Sequence, residues 1–500
     1  MKHRITLYFV MLVTVWSSAT ASNADSALVE HTSLSMLTRR QAMHNPALNG
    51  TGFHSSFSQL ALCIDMERQS KAFVLEKGTG FTLPYLTAST YHHLNDRMTV
   101  WGEASFTTGR QHHVTWNSTS DYDLLQPYIL ADTLGGDTRR ERYAFSGGCA
   151  ARLDKWSFGG EMNVRAEQEY RGHDPRMRGV VTDVTLSLGT GFQSKFCQLG
   201  LALTGNIYKQ TNSVAFYREE GVIPEYQMTG LGTVYSRFSG DKRSIYYDGG
   251  GLTLRLHASH NGSTGLYGDA SLSTHRYHRK LAEYNSMPLT DLYNEQAGTT
   301  IGWRKEGSQQ RIAVFGHFNY QRRTGNEHIG GTSDARYFPV IAWLTMYKSG
   351  HIDTHVGALY GKHFWNLTMK AGYTTLTEEY VFPHRQMDVS HTYLTIVGQC
   401  FIRPTKKLLL TVDAQASMYI NTHEKMSMPQ ANMEPIFIQL MQHKHEFSSA
   451  SYTDLGAGVR ADYAWKQSRF GLFAELGGGM TLCSAGEHQT SLHSSIGITF

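Results

Sequence analysis

The side chains in this sequence best suited to chemistry are charged residues that recur at every second position along ribbon-like stretches. Over 155–170, Glu161, Arg165, Glu167 and Glu169 alternate with Trp156, Phe158, Met162 and Val164. Followed along the chain, the same phase places Glu103, Arg152, Asp183, Arg255, Asp269, Arg304, Arg311, Lys370, Asp413, Arg460, Asp462 and Glu475 on the polar side, with His257, His275 and His317. Charges sharing an enclosed face must be hydrated or paired. Two arrangements fit: a network of ion pairs filling a lumen, or a selectivity lining in which acidic and basic walls face each other across a pore. The candidate lining residues are Glu103, Arg152, Glu161, Arg165, Asp183, Arg255, Arg304, Arg311, Asp413, Arg460 and Glu475.

A second concentration of reactive groups lies in 421–450, where His423, Met426, Met428, Met433, Met441, His443 and His445 supply imidazoles and thioethers suited to Cu(I) or haem iron. Ile436 to Met441 is also apolar enough for a packed ribbon or docking surface. Met and His are frequent throughout the chain, so no metal or cofactor is expected. Catalytic signatures are lacking: there is no Gly-x-Ser-x-Gly elbow and no His-Glu-x-x-His, and 357–362 is one residue short of a phosphate loop. The expectation is a protein that is not an enzyme; Ser, His and Asp are common enough to keep a rim hydrolase as a third reading. The 5 cysteines are odd in number and far apart, which fits small hydrophobes better than a disulfide framework. Basic residues are scattered, so nucleic acid is not an expected partner.

The elements that must position these groups are strands. Between Arg178 and Tyr208, Val180, Thr182, Val184, Leu186 and Leu188 alternate with Asp183, Thr185, Ser187 and Gly189, and after a turn at Ser194-Lys195 the alternation resumes with Cys197, Leu199, Leu201, Leu203 and Ile207. Each of these strands runs for roughly 13 to 15 residues, well beyond the roughly 5 or 6 of a soluble sheet. Close turns recur at Asp154, Asn261-Gly262, 306–308, Gly361-Lys362, 404–407 and Lys466-Gln467, while 118–141, 211–244, 279–292, 325–350 and 421–450 are long, polar and irregular. Short turns at one end and long loops at the other predict an all-β fold, a transmembrane antiparallel up-and-down barrel. Starting upward at Phe57 and counting turns gives about 18 strands, within about 16 to 20. That number is even, as a barrel with both ends on one side needs. Plentiful aromatics and only 11 prolines suit such strands.

The predicted division is a signal peptide over 1–21, an N-terminal plug or periplasmic segment over 22–55, and the barrel over 56–500. Lys2 and Arg4, the apolar run from Ile5 to Trp16 and the small residues Ala19-Thr20-Ala21 form the signal, cut near Ala21. Beyond it no run approaches the roughly 18 apolar residues of a membrane helix. Within 33–44, Leu34, Leu37, Gln41 and Met43 allow a short helix before Pro46. The final strand carries Ile496, Ile498 and Phe500 at two-residue spacing, with Leu492 in the same phase and Ser494 departing from the pattern. This resembles the C-terminal signature by which the outer-membrane assembly machinery recognises its clients, and implies that machinery and outer-membrane lipid as partners.

Three stretches resemble an uncharacterised family of outer-membrane barrels from Bacteroidota, a domain of unknown function: Pro127-Tyr128-Ile129-Leu130-Ala131-Asp132, Tyr170 with Asp174-Pro175-Arg176, and the strand from Val181 to Leu188. The resemblance implies the barrel but no established activity. Asn45-Pro46-Ala47 is similar to a tripeptide in the N-terminal hatch of long-chain fatty-acid channels and to barrel subunits associated with type IX secretion, which implies a plug. The resulting expectation is a bacterial outer-membrane barrel that passes or binds a small solute in nutrient uptake. The alternative is a non-catalytic docking subunit for an envelope receptor, lipoprotein or secretion component.

Overall fold

The computed structural model describes residues 23–34, 44–217, 225–235, 244–282, 286–307, 310–332, 339–362, 364–429, 433–465 and 470–500. The signal peptide over 1–21 and the turn at Lys466-Gln467 lie outside the described residues. Eighteen strands form one antiparallel sheet. In chain order they are β1 (Phe57–Gln69), β2 (Gly80–Asn95), β3 (Met98–Val114), β5 (Gly136–Leu153), β6 (Trp156–Arg171), β7 (Arg176–Gln193), β8 (Cys197–Ala215), β11 (Ser244–His260) and β12 (Thr264–Leu281). There follow β13 (Met287–Glu306), β14 (Gln310–Gly330), β15 (Val340–Lys362), β16 (Trp365–Tyr380), β17 (Arg385–Thr405), β18 (Leu408–Ser427), β19 (Tyr452–Ala464), β20 (Gly471–Cys483) and β21 (His488–Thr499). The sheet closes where β1 pairs with β21, from Gln59↔Thr499 to Gln69↔Gln489, and Phe500 exchanges backbone hydrogen bonds of 2.9 Å with Ser58. The count is therefore the even number that turn parity required.

Alternation decides which face is which. On β7 and β8, Leu186, Leu188, Leu199, Leu201, Leu203 and Ile207 are exposed on the outside, whereas the intervening Val181, Ser187, Ala202 and Tyr208 are buried inside. The same exposure recurs around the whole circuit, at Leu60, Leu86, Phe145, Leu254, Ile301, Val314, Val356, Leu455, Leu476 and Ile496. No water-soluble fold keeps so continuous an apolar belt uncovered; a belt on a closed barrel is the surface that acyl chains cover. All five cysteines are free, Cys149 exposed on the belt and Cys63 buried inside against Ala61 and Phe473.

The strands run longer than the apolar alternation indicates, from the 12 residues of β21 to the 23 of β15. Two segments expected to be irregular, 279–292 and 325–350, are mostly paired backbone, with ladders reaching Leu281↔Met287 and Gly330↔Val340. Above the belt both faces of a strand meet polar surroundings, so the hydrophobic period fades while the hydrogen-bond ladder continues.

The described residues of the first two long loops pack inside the barrel. The 115–135 connection contains α3 (Tyr122–Leu125) and β4 (Leu130–Ala131), and the next long connection contains β9 (Tyr226–Gly230) and β10 (Thr233–Val234). Together they form a three-stranded sheet in the order β10-β9-β4, packed inside the long-loop end. The 421–450 segment is also not irregular: β18 extends to Ser427, and Pro435 opens the helix α4 (Pro435–Ser449). Phe437, Leu440 and Met441 are the buried face of α4, a helical spacing rather than a ribbon one.

At the other end, the N-terminal segment carries α1 (Asn23–Thr32) and α2 (Pro46–Asn49). α1 ends at Thr32, before the helix expected within 33–44; that helix falls on 35–43, which lie outside the described residues.

Candidate functional site

The inner face of β6 gives the vertical order of the interior. Rising from the short-turn end, its inward positions are Gly159, Glu161, Asn163, Arg165, Glu167, Glu169 and Arg171. The lowest touches an N-terminal hatch, the middle ones border a chamber, and the highest hold the inserted loops.

The hatch is seated on bare backbone. Asn45 caps α2 by accepting from the Ala47 amide (2.9 Å) and donates from Nδ2 to the carbonyls of Thr190 and Leu201 (both 3.1 Å). A Cβ at Gly159 would lie 2.4 Å from the Pro46 carbonyl carbon, and one at Gly189 would lie 2.0 Å from Asn45 Oδ1. Only glycine permits this approach. Leu48 fills the space beside Gly191 and Gly200. The other part of the segment meets a distant wall: Leu28 packs with Phe401 of β17 and Leu409 of β18. The Gln399 side chain bonds the Leu34 amide (2.9 Å) and the Thr32 carbonyl (3.2 Å), and His31 stacks on Phe53 at 3.9 Å. The segment thus touches two sides of the short-turn mouth.

The upper insert is held by a core and by buried charge. Leu125, Tyr128, Ile129, Leu130, Met228, Phe437 and Leu440 pack against Tyr208, Tyr247, Tyr277, Tyr347 and Tyr380 of the wall. Arg279 of β12 is 1% exposed and donates to the carbonyls of Met228 (2.9 Å) and Ile129 (3.3 Å) and to the Gln227 side chain. Arg171 pairs with Asp132 at 2.8 Å, both side chains fully buried. Lys444 of α4 reaches Glu378 of β16 at 2.6 Å, and Arg385 of β17 donates to the Leu231 carbonyl at 2.8 Å. Burial holds the Tyr128 hydroxyl of the insert well above the usual phenol range, so it stays protonated.

Between the two inserts, a cavity of about 290 Å³ is lined by Glu103, Ser105, Arg142, Asn163, Arg165, Asp183 and Thr185. Both Nη atoms of Arg165 donate to the Asp121 carboxylate at 2.7 Å, and the same guanidinium reaches Asp183 (3.2 Å) and Glu167 (3.3 Å). Arg140 meets Glu167 at 3.0 Å. Because Asp121 precedes α3, this network ties the insert to the wall as well as lining the chamber.

Residues 46–500 match the model of a family of unknown function, DUF6850. The chain belongs to DUF6850. The match begins at α2 and takes in every strand of the barrel. No curated protein matches the sequence. Among solved structures the DUF6850 chain is similar to the ferric enterobactin receptor PfeA of Pseudomonas aeruginosa, at 10% identity and a TM-score of 0.37, covering 89% of this chain and 80% of that one. It is also similar to the outer membrane transporter YddB of Escherichia coli (7%, 0.41, 88% and 81%) and to the copper transporter OprC (8%, 0.42, 89% and 80%).

The strand parity of the DUF6850 barrel puts all eleven candidate residues on inward positions, but only some of them meet. Glu103, Arg165 and Asp183 share the cavity, and Glu161 accepts from Trp101 Nε1 at 2.8 Å just below it. Arg255 pairs with Asp269 at 2.9 Å. Arg460 pairs with Asp462 (3.0 Å), approaches Glu475 (3.8 Å) and covers the Phe473 ring. Arg152 sits at the short-turn rim on the Asp96 carbonyl, Arg304 approaches Glu306 at 3.7 Å, and Arg311 and Asp413 project elsewhere on the wall.

The Met and His residues of 421–450 do not converge. His423 and Met426 lie on β18 and Met428 just after it, while Met433 and Met441 pack on Gly232 within the insert core. His443 bonds the Ala72 carbonyl at 2.8 Å and lies beside Phe447, and His445 is on the same helix. Helix formation separates what the sequence placed close together.

Sequence reasoning passed over Asp121, Asp132, Arg142, Arg171 and Arg279. Asp132 ends the Pro127–Asp132 stretch on which the family resemblance rests, and Arg279 continues the inward phase of Tyr277 past the belt; extending period two beyond the apolar residues finds it.

Proposed function

We propose that this protein is an outer-membrane barrel that admits a small polar solute to a charged chamber on its inner wall, between two inserts. The observation that carries the reading is the cavity bordered by Glu103, Arg142, Arg165 and Asp183, with the hatch below it and Asp121 of the upper insert fixed to its wall. An ion-pair network serving stability alone has no need of a chamber with exposed carboxylate and guanidinium groups; a route for a hydrated or zwitterionic solute does. The described parts of the first two long loops and the helix α4 fold inward, which supports a filled lumen over a docking face built from those parts.

Planar-bilayer conductance of the full chain tests the proposal. The native protein is expected to conduct weakly, because both mouths hold an insert. A variant combining Gly189→Leu, which displaces Asn45, with Arg279→Met, which loosens the upper insert, is expected to conduct steadily, with an ion selectivity that Glu103→Gln shifts. A folded double variant that stays electrically silent counts decisively against a passage.

A further inference from the structure

A pair of histidines lies on the inner wall away from the cavity. His317 of β14 and His355 of β15 are direct partners in the strand register, and both side chains point inward. Their ring centroids are 4.9 Å apart, tilted by 31°.

What orients each ring matters more than the spacing. His317 Nδ1 bonds Thr300 Oγ1 at 2.8 Å, on β13, the neighbour on the far side from His355. His355 Nδ1 meets the Tyr393 hydroxyl at 3.1 Å and Asp353 Oδ1 at 3.3 Å, and Tyr393 comes from β17, on the far side from His317. That same Tyr393 hydroxyl donates to Asp353 Oδ2 at 3.0 Å. Tyr393 reaches over β16 because position 372 is glycine: a Cβ there would lie 2.6 Å from the Tyr393 ring and 2.7 Å from the His355 Cβ.

Each imidazole therefore commits Nδ1 to the flank away from the other ring. Among the described residues neither Nε2 atom has a hydrogen-bond partner, so both are free to act as donors to an ion. An Nδ1–H held by a carboxylate or hydroxyl oxygen fixes the tautomer that carries its lone pair on Nε2, the arrangement that surrounds metal-bound histidines. Phe315 closes the site from below, its ring edge-on to His355 at 6.0 Å.

We infer that His317 and His355 form a two-imidazole site for a divalent first-row transition ion, with Thr300, Asp353 and Tyr393 as positioning residues. Imidazole is an intermediate donor suited to Zn²⁺, Ni²⁺ and Cu²⁺ and poor for Mg²⁺ or Ca²⁺. Among the described residues no three His, Cys, Asp or Glu groups converge on one point, so the protein supplies two donors here and water or a solute anion supplies the rest. A site completed by exchangeable ligands is open and labile, unlike a closed four-ligand structural zinc site. It stands independently of the passage proposed above, because it requires only the folded barrel.

The test is isothermal titration of ZnCl₂ into the full chain, purified without a histidine tag in detergent. Zinc X-ray absorption then counts the ligands. One saturable site is expected, with two imidazole nitrogens at about 2.0–2.1 Å and the remaining ligands light atoms. His317→Asn and His355→Asn each lower the affinity on the order of 100-fold, and Asp353→Asn lowers it by about 10-fold, the usual effect of removing an outer-shell partner. His443→Asn leaves it unchanged. Heat-modifiable migration on gels establishes that each variant is folded. Absence of saturable zinc binding by the native chain, or undiminished binding by folded His317→Asn protein, overturns the site.

Discussion

The segments seated at the two ends of this barrel are held by different physics. At the long-loop end the insert has a core of its own, with Leu130 and Ala131 fully shielded, and it carries buried charge at Arg279 and the Arg171–Asp132 pair. At the short-turn end the hatch rests on a few backbone-distance contacts at Gly159 and Gly189 and on small clusters around Leu28 and Phe53. A core that buries ion pairs is strongly destabilised when one partner goes. A seat made of glycine contacts can be vacated with little change in the wall that forms it. The upper segment is thus held by buried charge and the lower one by close backbone approach and neutral hydrogen bonds, so the lower one is expected to come away at the smaller cost to the wall.

The largest expected effect tests the upper closure. Asp132→Ala leaves Arg171 buried without its partner, which costs about 3–5 kcal/mol. Hydrogen exchange of the 115–135 amides is expected to accelerate accordingly while the barrel ladder stays protected. If β4 keeps native protection, the pair is not what fixes the insert.

Arg279→Met follows, since it removes the donor to the Met228 and Ile129 carbonyls but keeps the volume. The Ile129 carbonyl keeps the Met228 amide at 2.9 Å, but the Met228 carbonyl loses its charged donor, a loss of about 1–3 kcal/mol, so limited proteolysis in β9 is expected to quicken without loss of the folded barrel band.

At the lower mouth, Gly189→Leu is expected to displace α2. A spin label on Leu48 becomes mobile, and urea unfolding of the barrel shifts by less than about 1 kcal/mol. A large loss of barrel stability would erase the contrast between the two closures.

The smallest effect is a pH dependence of α4. Burial outweighs the opposing bond to the Ala72 carbonyl and holds the His443 imidazole below its ordinary range, so the docked helix favours the neutral ring. A depressed histidine contributes stability above its unfolded value near 6.5 and loses it as pH falls through the folded value. Amide exchange in 435–449 is therefore expected to rise modestly between pH 7.5 and 5.5, and His443→Gln to abolish the change.

Much of the barrel was legible because period two is a local property. Leu186 and Leu188 against Asp183 and Ser187 identify both faces of β7 from neighbours in sequence alone, and turn parity carried the count to the closure at β21. The strand extensions were not legible, since residues such as Arg279 and Glu327 lie above the belt, where hydrophobicity no longer marks the two faces. The chamber was legible in part. Glu103, Arg165 and Asp183 follow from phase, but Asp121 belongs to a loop with no phase to follow.

The sequence by itself determined that this chain forms a wall of about eighteen amphipathic strands, within about 16 to 20, with charge on one side and an apolar belt on the other, because alternation and turn spacing are written residue by residue; the structure fixes the number at eighteen. Only the tertiary structure decided that 122–131, 226–234 and α4 pack inside the barrel, that Asn45 sits on glycines more than a hundred residues away, and that His355 faces His317. Those contacts depend on which strands become neighbours and on what fills the lumen, and both are set once the ring has closed.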